Sequence, residues 1–203
     1  MWFSDTFAST LTAVVAEAEA ETDVELVVVV QRSSASGLDV ALMAGIATAL
    51  ATLGFLLFSP WDFDPLFIPG LVVAGGALGF VPSRVSGTIT HALTRPSRRH
   101  EQVQDAADAA FYQQVVHGTR GRTGLLIYVS VDEREVALRP DLGLQGRIPV
   151  ALLNGLDFGD GPRLTTPEAF VQGLRGLGVL LAERVPALDD NPNEIPDEPR
   201  FYP

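Results

Sequence analysis

The chain has 203 residues, a formal net charge of −11, a mean hydropathy of +0.23 and no Cys. Without Cys there are no disulfides, thiolate nucleophiles, zinc ribbons or iron–sulfur ligands, and because all 14 basic residues are Arg there is no Schiff-base or P-loop lysine. A pI near 4.6 leaves no basic stripe for nucleic acid, so the apolar excess must serve another purpose.

Met1 to Ala20 has no positive n-region and carries Asp5, Glu17 and Glu19, which argues against a targeting sequence. It reads as an amphipathic helix capped by Ser4 or Asp5, with Phe7, Leu11, Val14, Val15 and Ala18 on one face. Val24 to Gln31 (VELVVVVQ) follows as a strand, since four consecutive valines are poor helix formers. A strand apolar on both faces must be covered on both.

Between Val40 and Phe58 no side chain is charged, and a helix of that length spans a bilayer core of about 30 Å. A second uncharged run extends from Leu66 to Ser83, with Pro69 near its start. The connector Ser59 to Pro65 is short, so the two helices return antiparallel, and its Trp61 and Phe63 suit the headgroup level. Gly75 and Gly79 form a small-residue face for close helix packing. Arg32, Arg84, Arg95, Arg98 and Arg99 flank the pair while the connector holds two Asp, which predicts both termini in the cytoplasm. The alternative is a buried helical hairpin of a soluble protein.

Beyond the hairpin, Ser97 caps a helix running to about Val116 and ended by Gly118. Gly124 to Ser130 and Glu135 to Arg139 make a β-hairpin around the polar turn Val131 to Arg134. Thr166-Pro167-Glu168 starts a helix that stops before Pro186, and the acidic, proline-containing segment from Ala187 reads as a solvated tail. The strand before the hairpin has no partner on its own side, so it must pair with strands after residue 124. The expected architecture is therefore one layered α/β domain, helices packed on a small central sheet, interrupted by a transmembrane helical hairpin. Its parts are residues 1–37 and 90–186 of the domain, 38–89 as the hairpin and 187–203 as a disordered acidic tail.

The stretch from Thr119 to Gly143 (TRGRTGLLIYVSVDEREVALRPDLG), with the preceding helix at Ala110-Phe111 and the strand ELVVVV, resembles the TPM-domain family. Arg122, Thr123 and Gly124 match that family's strand-entry motif, Glu133 and Arg134 its hairpin turn, and Asp141 and Gly143 its acidic loop. Thr123 stands where Asn is usual, and after Ile148 the match is loose, with Asp157, Asp160 and Gly161 in place of a longer helical segment. The resemblance implies a bacterial envelope module of the branch with an internal membrane hairpin. Members are described as acid phosphatases, binders of calcium or other divalent ions, or assembly factors for membrane complexes.

A β-hairpin brings its outer ends together, so Thr119, Arg122 and Thr123 are expected near Arg139, Asp141 and Gly143. Asp141 with Thr123 and loop carbonyls, and Glu25 from the first strand, offer oxygen ligands to calcium or another divalent cation. Alternatively Asp141 caps a turn or pairs with Arg139 or Arg122. A phosphatase would use Asp141 as acid or nucleophile, with Arg122 or Arg139 as the phosphate clamp. Asp132 and Glu133 sit at the other end and read as turn residues. His91, His100 and His117 lack metal-ligand spacing, and Gly118, Gly121 and Gly124 precede a strand rather than a helix, which excludes a nucleotide cradle. The expected function is a membrane-anchored, non-enzymatic module. It acts in protein interaction or membrane-complex assembly at the bacterial inner membrane, and its partners are the lipid bilayer and a membrane or cytoplasmic protein. A weak acid phosphatase is the alternative.

Overall fold

The structure, a computed structural model, describes residues 2–34, 38–85, 96–160, 163–164, 166–188 and 193–202. The expectations placed on His91, Arg95 and Gly161 lie outside these residues, as do the side chains of Arg84, Ser97 and Asp160. The chain divides into two compact units, Met1–Ser34 with His100–Pro203, and Ala35–Arg99.

In the first unit, helix α1 (Asp5–Glu19) begins at Ser4, whose Oγ accepts from Phe7 N at 3.3 Å. Strand β1 (Glu25–Gln31) pairs in parallel with β2 (Gly124–Ser130), in the register Glu25 to Gly124 through Gln31 to Ser130. The two flanks of the inserted segment thus build one sheet, as the unpaired first strand requires. Antiparallel to β2 runs β3 (Glu135–Pro140), joined to it by a turn in which Arg134 adopts a positive φ of 55°. Two-residue strands β4 (Gly159–Asp160) and β5 (Arg163–Leu164) continue the sheet beyond β3, and β6 (Arg200–Tyr202) closes the opposite edge beside β1.

The last strand corrects the tail. Residues 193–202 are not a solvated extension: Ile195 is buried, Phe201 packs on the core, and β6 runs parallel to Val29–Gln31. Composition suggested solvation because Pro and acidic residues dominate, yet Ile195, Phe201 and Tyr202 supply enough apolar surface to dock the end of the chain.

Alternation along the central strands separates two cores. Leu26, Val28, Val30, Leu125, Ile127 and Val129 face α1 and α6 (Pro167–Arg184) through Leu11, Val15, Phe170, Leu174 and Leu181. On the other face Val27, Val29, Leu126, Tyr128 and Ala137 meet Val103, Ala107 and Ala110 of α4 (Pro96–Gln113). Both faces of the valine-rich strand are covered, giving an α/β/α sandwich. α4 stops at Gln113 and is followed by a single 3-10 turn, Val116–Gly118, instead of running on to Val116. A short helix α5 (Val150–Asn154) lies between β3 and β4. Helix α6 starts as the sequence indicates, with Thr166 Oγ1 accepting from Ala169 N at 3.1 Å.

The second unit contains α2 (Leu38–Phe58) and α3 (Ile68–Val85) packed antiparallel along a seam of small residues. A Cβ added to Gly79 would lie 2.2 Å from Thr48 Oγ1 and 2.6 Å from the Ala44 carbonyl, and one added to Gly75 would lie 2.1 Å from Thr52 Oγ1. Gly75 and Gly79 therefore sit at the closest approach of the two helices. Thr48, Thr52 and Ser83 return their hydroxyls to carbonyls one turn earlier, at 2.8 to 2.9 Å. Of the described helices, one, over Ala41–Phe58, is long and apolar enough to cross a membrane; Ile68–Ser83 is apolar but shorter. The expected second span loses its first two residues, Leu66 and Phe67, to the turn that precedes Ile68.

Candidate functional site

The loop between the 3-10 turn and β2 meets the end of β3 as the hairpin topology requires. Thr119 Oγ1 accepts from Thr123 N at 3.0 Å, which folds Thr119–Thr123 into a tight bend and buries both hydroxyls. Arg122 sits at the crest with a φ of 54°, the left-handed region that non-glycine residues rarely enter. Val115, a β-branched residue, also has a φ of 55°, so two strained positions bracket this loop. The bend aims the guanidinium of Arg122 at Asp141: Nε donates to Oδ2 at 2.7 Å and Nη2 to Oδ1 at 2.9 Å. This two-pronged pair raises the Arg122 pKa further. Asp141 is only 2% exposed, and its Oδ1 also accepts from Leu142 N at 2.7 Å, capping the next 3-10 turn. Gly143 closes the loop, because a Cβ there would lie 2.2 Å from the Gly121 carbonyl, and its N–H donates to Arg122 O at 2.8 Å.

Of the two readings of Asp141, the structure displays the cap and the ion pair with Arg122. Arg139 is not part of this cluster. It stands opposite Leu126, on the face covered by α4, where it donates to Asp108 and, at 2.6 Å, to Gln104 Oε1. Of the two arginines offered as a phosphate clamp, Arg122 lies beside Asp141 and Arg139 does not. Glu25 is brought to the same end of the sheet, since it stands opposite Gly124, whose carbonyl accepts from Asp141 N at 2.9 Å. Its carboxylate, however, accepts from Ile195 N at 3.1 Å on the docked end of the chain. Asp141, Thr123 and Glu25 are thus neighbours in the backbone whose side chains point to different partners. Among the described residues no group of three or more His, Asp or Glu is placed to hold a metal ion.

Two polar clusters carry more buried charge than sequence reading assigned them. Glu133, read as a turn residue, accepts from Ser33 Oγ at 2.8 Å, from Ser34 N at 3.1 Å and from Ser130 Oγ. Burial alone would raise its pKa, but these donors outweigh it and hold the carboxylate below its ordinary range. Ser34 Oγ in turn reaches Ser130 Oγ at 2.8 Å and Tyr128 Oη at 3.0 Å, and burial raises the Tyr128 pKa against that bond. This network ties the chain leaving β1 to the turn of the β2–β3 hairpin. The only hint in the sequence is the run of serines after Arg32. At the opposite end, Glu19, Glu25, Glu194 and Asp197 converge where the end of the chain docks. Glu25 is pushed up by burial against backbone hydrogen bonds from Glu194 and Ile195.

His100 Nδ1 contacts Glu135 Oε1 at 2.5 Å, and His117 lies among Phe111 and Tyr112 with ring centroids 6.2 and 5.6 Å away.

No family model and no curated protein matches the sequence. Among solved structures, the chain is similar to the NMR structure of BA42 protein from the psychrophilic bacterium Bizionia argentinensis, with a TM-score of 0.56 and 14% identity over 99% of this chain and 96% of that one. At that identity the likeness is one of fold alone.

Proposed function

We propose that this protein is a membrane-anchored α/β module, of the TPM type by its resemblance at Thr119–Gly143, which serves protein interaction or assembly of a membrane complex at the cytoplasmic face. The observation that carries the anchor is the inverted packing of α2 and α3. Their seam is made of Ala44, Gly45, Thr48 and Ala49 against Gly75, Gly76 and Gly79, while Met43, Ile46, Leu50, Phe58, Val73 and Leu78 point outward, each more than half exposed. In water the hydrophobic effect would turn those side chains inward. In lipid, close approach of small residues drives helix association and large apolar side chains face the acyl chains. At 1.5 Å per residue α3 rises about 27 Å, close to the thickness of a bilayer core, so both helices serve as spans. The arginine bias supports a connector outside and both termini inside.

Reporter fusions in a bacterial host test this topology. Green fluorescent protein at the C-terminus is expected to fluoresce, and alkaline phosphatase is expected to be active only when inserted in Ser59–Pro65. Extraction by carbonate wash, or active phosphatase at the C-terminus, would overturn the reading.

A further inference from the structure

Helices α1 and α6 lie side by side on one face of the sheet and run in the same direction. Thr6 and Phe7 of α1 lie along Pro167 and Val171 of α6 at one end of their seam, and Glu17 and Glu21 lie along Val179 and Glu183 at the other. Gly178 draws the two together, since a Cβ there would lie 3.0 Å from the Ala18 Cβ. The outer side of the seam is left hollow, with a volume of about 390 Å³ at the starting end and about 550 Å³ at the far end. α1 rises about 22 Å over its 15 residues, so the seam is a groove that a third helix of about four turns would fill.

Shape and charge together select the occupant. The larger hollow is floored by Val14, Ala18, Gly178, Val179 and Ala182, and Val179 is 63% exposed. Gly176, three residues before Val179 and so on the same side of α6, is also exposed, and a Cβ added to it would meet nothing within 4 Å. A glycine there weakens the middle of a helix without serving any close contact among the described residues. What it permits is the close approach of another backbone. Around this floor stand the exposed carboxylates of Glu17, Glu21 and Glu183 against one guanidinium, that of Arg175, which lies 3.4 Å from Glu17. Because the helices are parallel, both end here, and the negative ends of their dipoles add to the same field. α1 has no basic residue in its last turn, and α6 has Arg184.

Pairing this face with itself would add carboxylates rather than cations in a chain whose net charge is already −11, and an anionic membrane surface would be repelled. We propose that the α1–α6 seam is a docking groove for an amphipathic helix of a partner protein. That helix is small and apolar where it meets Gly176 and Val179, and it carries Arg or Lys where it meets Glu17, Glu21 and Glu183. In the interaction role proposed above, on which this rests, the groove is the surface that reads the partner.

The probe is a fluorescein-labelled helical peptide of Ala, Leu and Arg, about four turns long with its arginines along one flank. It is titrated against the full-length protein in a neutral detergent at low salt and followed by anisotropy, with empty micelles as the blank. Saturable binding is expected, and the same peptide with Glu in place of Arg is expected not to bind. Glu17→Gln, Glu21→Gln and Glu183→Gln together should weaken binding by about tenfold or more. A control triple of equal charge at exposed sites elsewhere, Glu101→Gln, Asp105→Asn and Glu198→Gln, should change it by less than about twofold. Gly176→Gln, which favours the helix, should weaken binding by about fivefold or more while the melting midpoint holds or rises, so that the loss is one of fit and not of folding. Absence of saturable binding, or equal weakening by the two triples, would overturn the docking groove and leave the membrane anchor, which the reporter fusions test separately. A parent that sediments as a dimer and a Gly176→Gln variant that sediments as a monomer would overturn it in favour of a second copy as the occupant.

Discussion

Replacing Glu133 with Ala would remove the acceptor on which three donors converge at the exit of β1. Ser33 Oγ can turn to water and Ser130 Oγ keeps its bond from Ser34 Oγ, so the loss falls mainly on Ser34 N and on the buried Ser130 hydroxyl. Hydrogen bonds to a charged acceptor contribute about 1.5–3 kcal/mol each, and with partial rescue by water the expected cost is about 3 kcal/mol. For a unit of this size that corresponds to a drop in melting midpoint of roughly 10 °C. Trp2 reports the transition, since its ring lies 5.3 Å from Phe7 and 6.0 Å from Phe170 inside the folded unit, and Trp61→Phe removes the exposed second indole. The pH dependence supplies a second check. Because the folded state depresses the Glu133 pKa, its contribution is complete above the ordinary value of 4.5 and disappears as pH falls through the lower folded value. The gap between parent and Glu133→Ala is therefore expected to be full at pH 7 and to narrow below pH 4.5. A midpoint within 2 °C of the parent at pH 7, or a gap that widens in acid, would refute the assignment of Glu133 as the anchor of this network.

The remaining expectations concern the other glycines and charges. Gly79→Leu should force α2 and α3 apart, seen as a longer distance between spin labels at Met43 and Val81, whereas Gly54→Leu, where a Cβ meets nothing within 4 Å, should leave that distance unchanged. Gly143→Ala should destabilise the α/β unit by about 2–3 kcal/mol, because its Cβ would collide with backbone carbonyls of Gly121 and Arg122 rather than with a movable side chain; Trp2 melting measures it. Calcium titrated calorimetrically into the parent should give no saturable heat, since a cation at Asp141 must first displace the two-pronged Arg122 contact. Saturable heat that disappears in Asp141→Asn would restore the cation-site reading.

How much of this was legible in the sequence depended on whether the signal was local. The four valines of β1, the cap at Ser4 and the Thr166-Pro167 helix start are local features, and each appears where the pattern puts it. The pairing of β1 with β2 followed from counting unsatisfied backbone groups, which needs no knowledge of distance along the chain. What failed was side-chain direction. Arg139 follows Leu138 by one residue, and in a strand that single step turns it to the α4 face, away from Asp141. The loop at Thr119–Thr123 hid its own geometry, because a positive φ at Arg122 is enforced by Thr119, Gly143 and Asp141 together and by nothing in the residue itself. The docked end was missed for the opposite reason: its composition is that of a free tail, and three apolar residues among ten decide the outcome only once the sheet exists.

The parallel pairing of β1 and β2 joins residues about a hundred positions apart, such as Glu25 and Gly124. During synthesis, at about 5–20 residues per second, β1 leaves the ribosome many seconds before the strand that completes its sheet. Both apolar helices emerge in that interval, while the strand of valines is still without its partner. Maturation of the α/β unit is in this way timed by the length of the inserted segment, and the seven residues of β1 remain open to mispairing until Ser130 has been made.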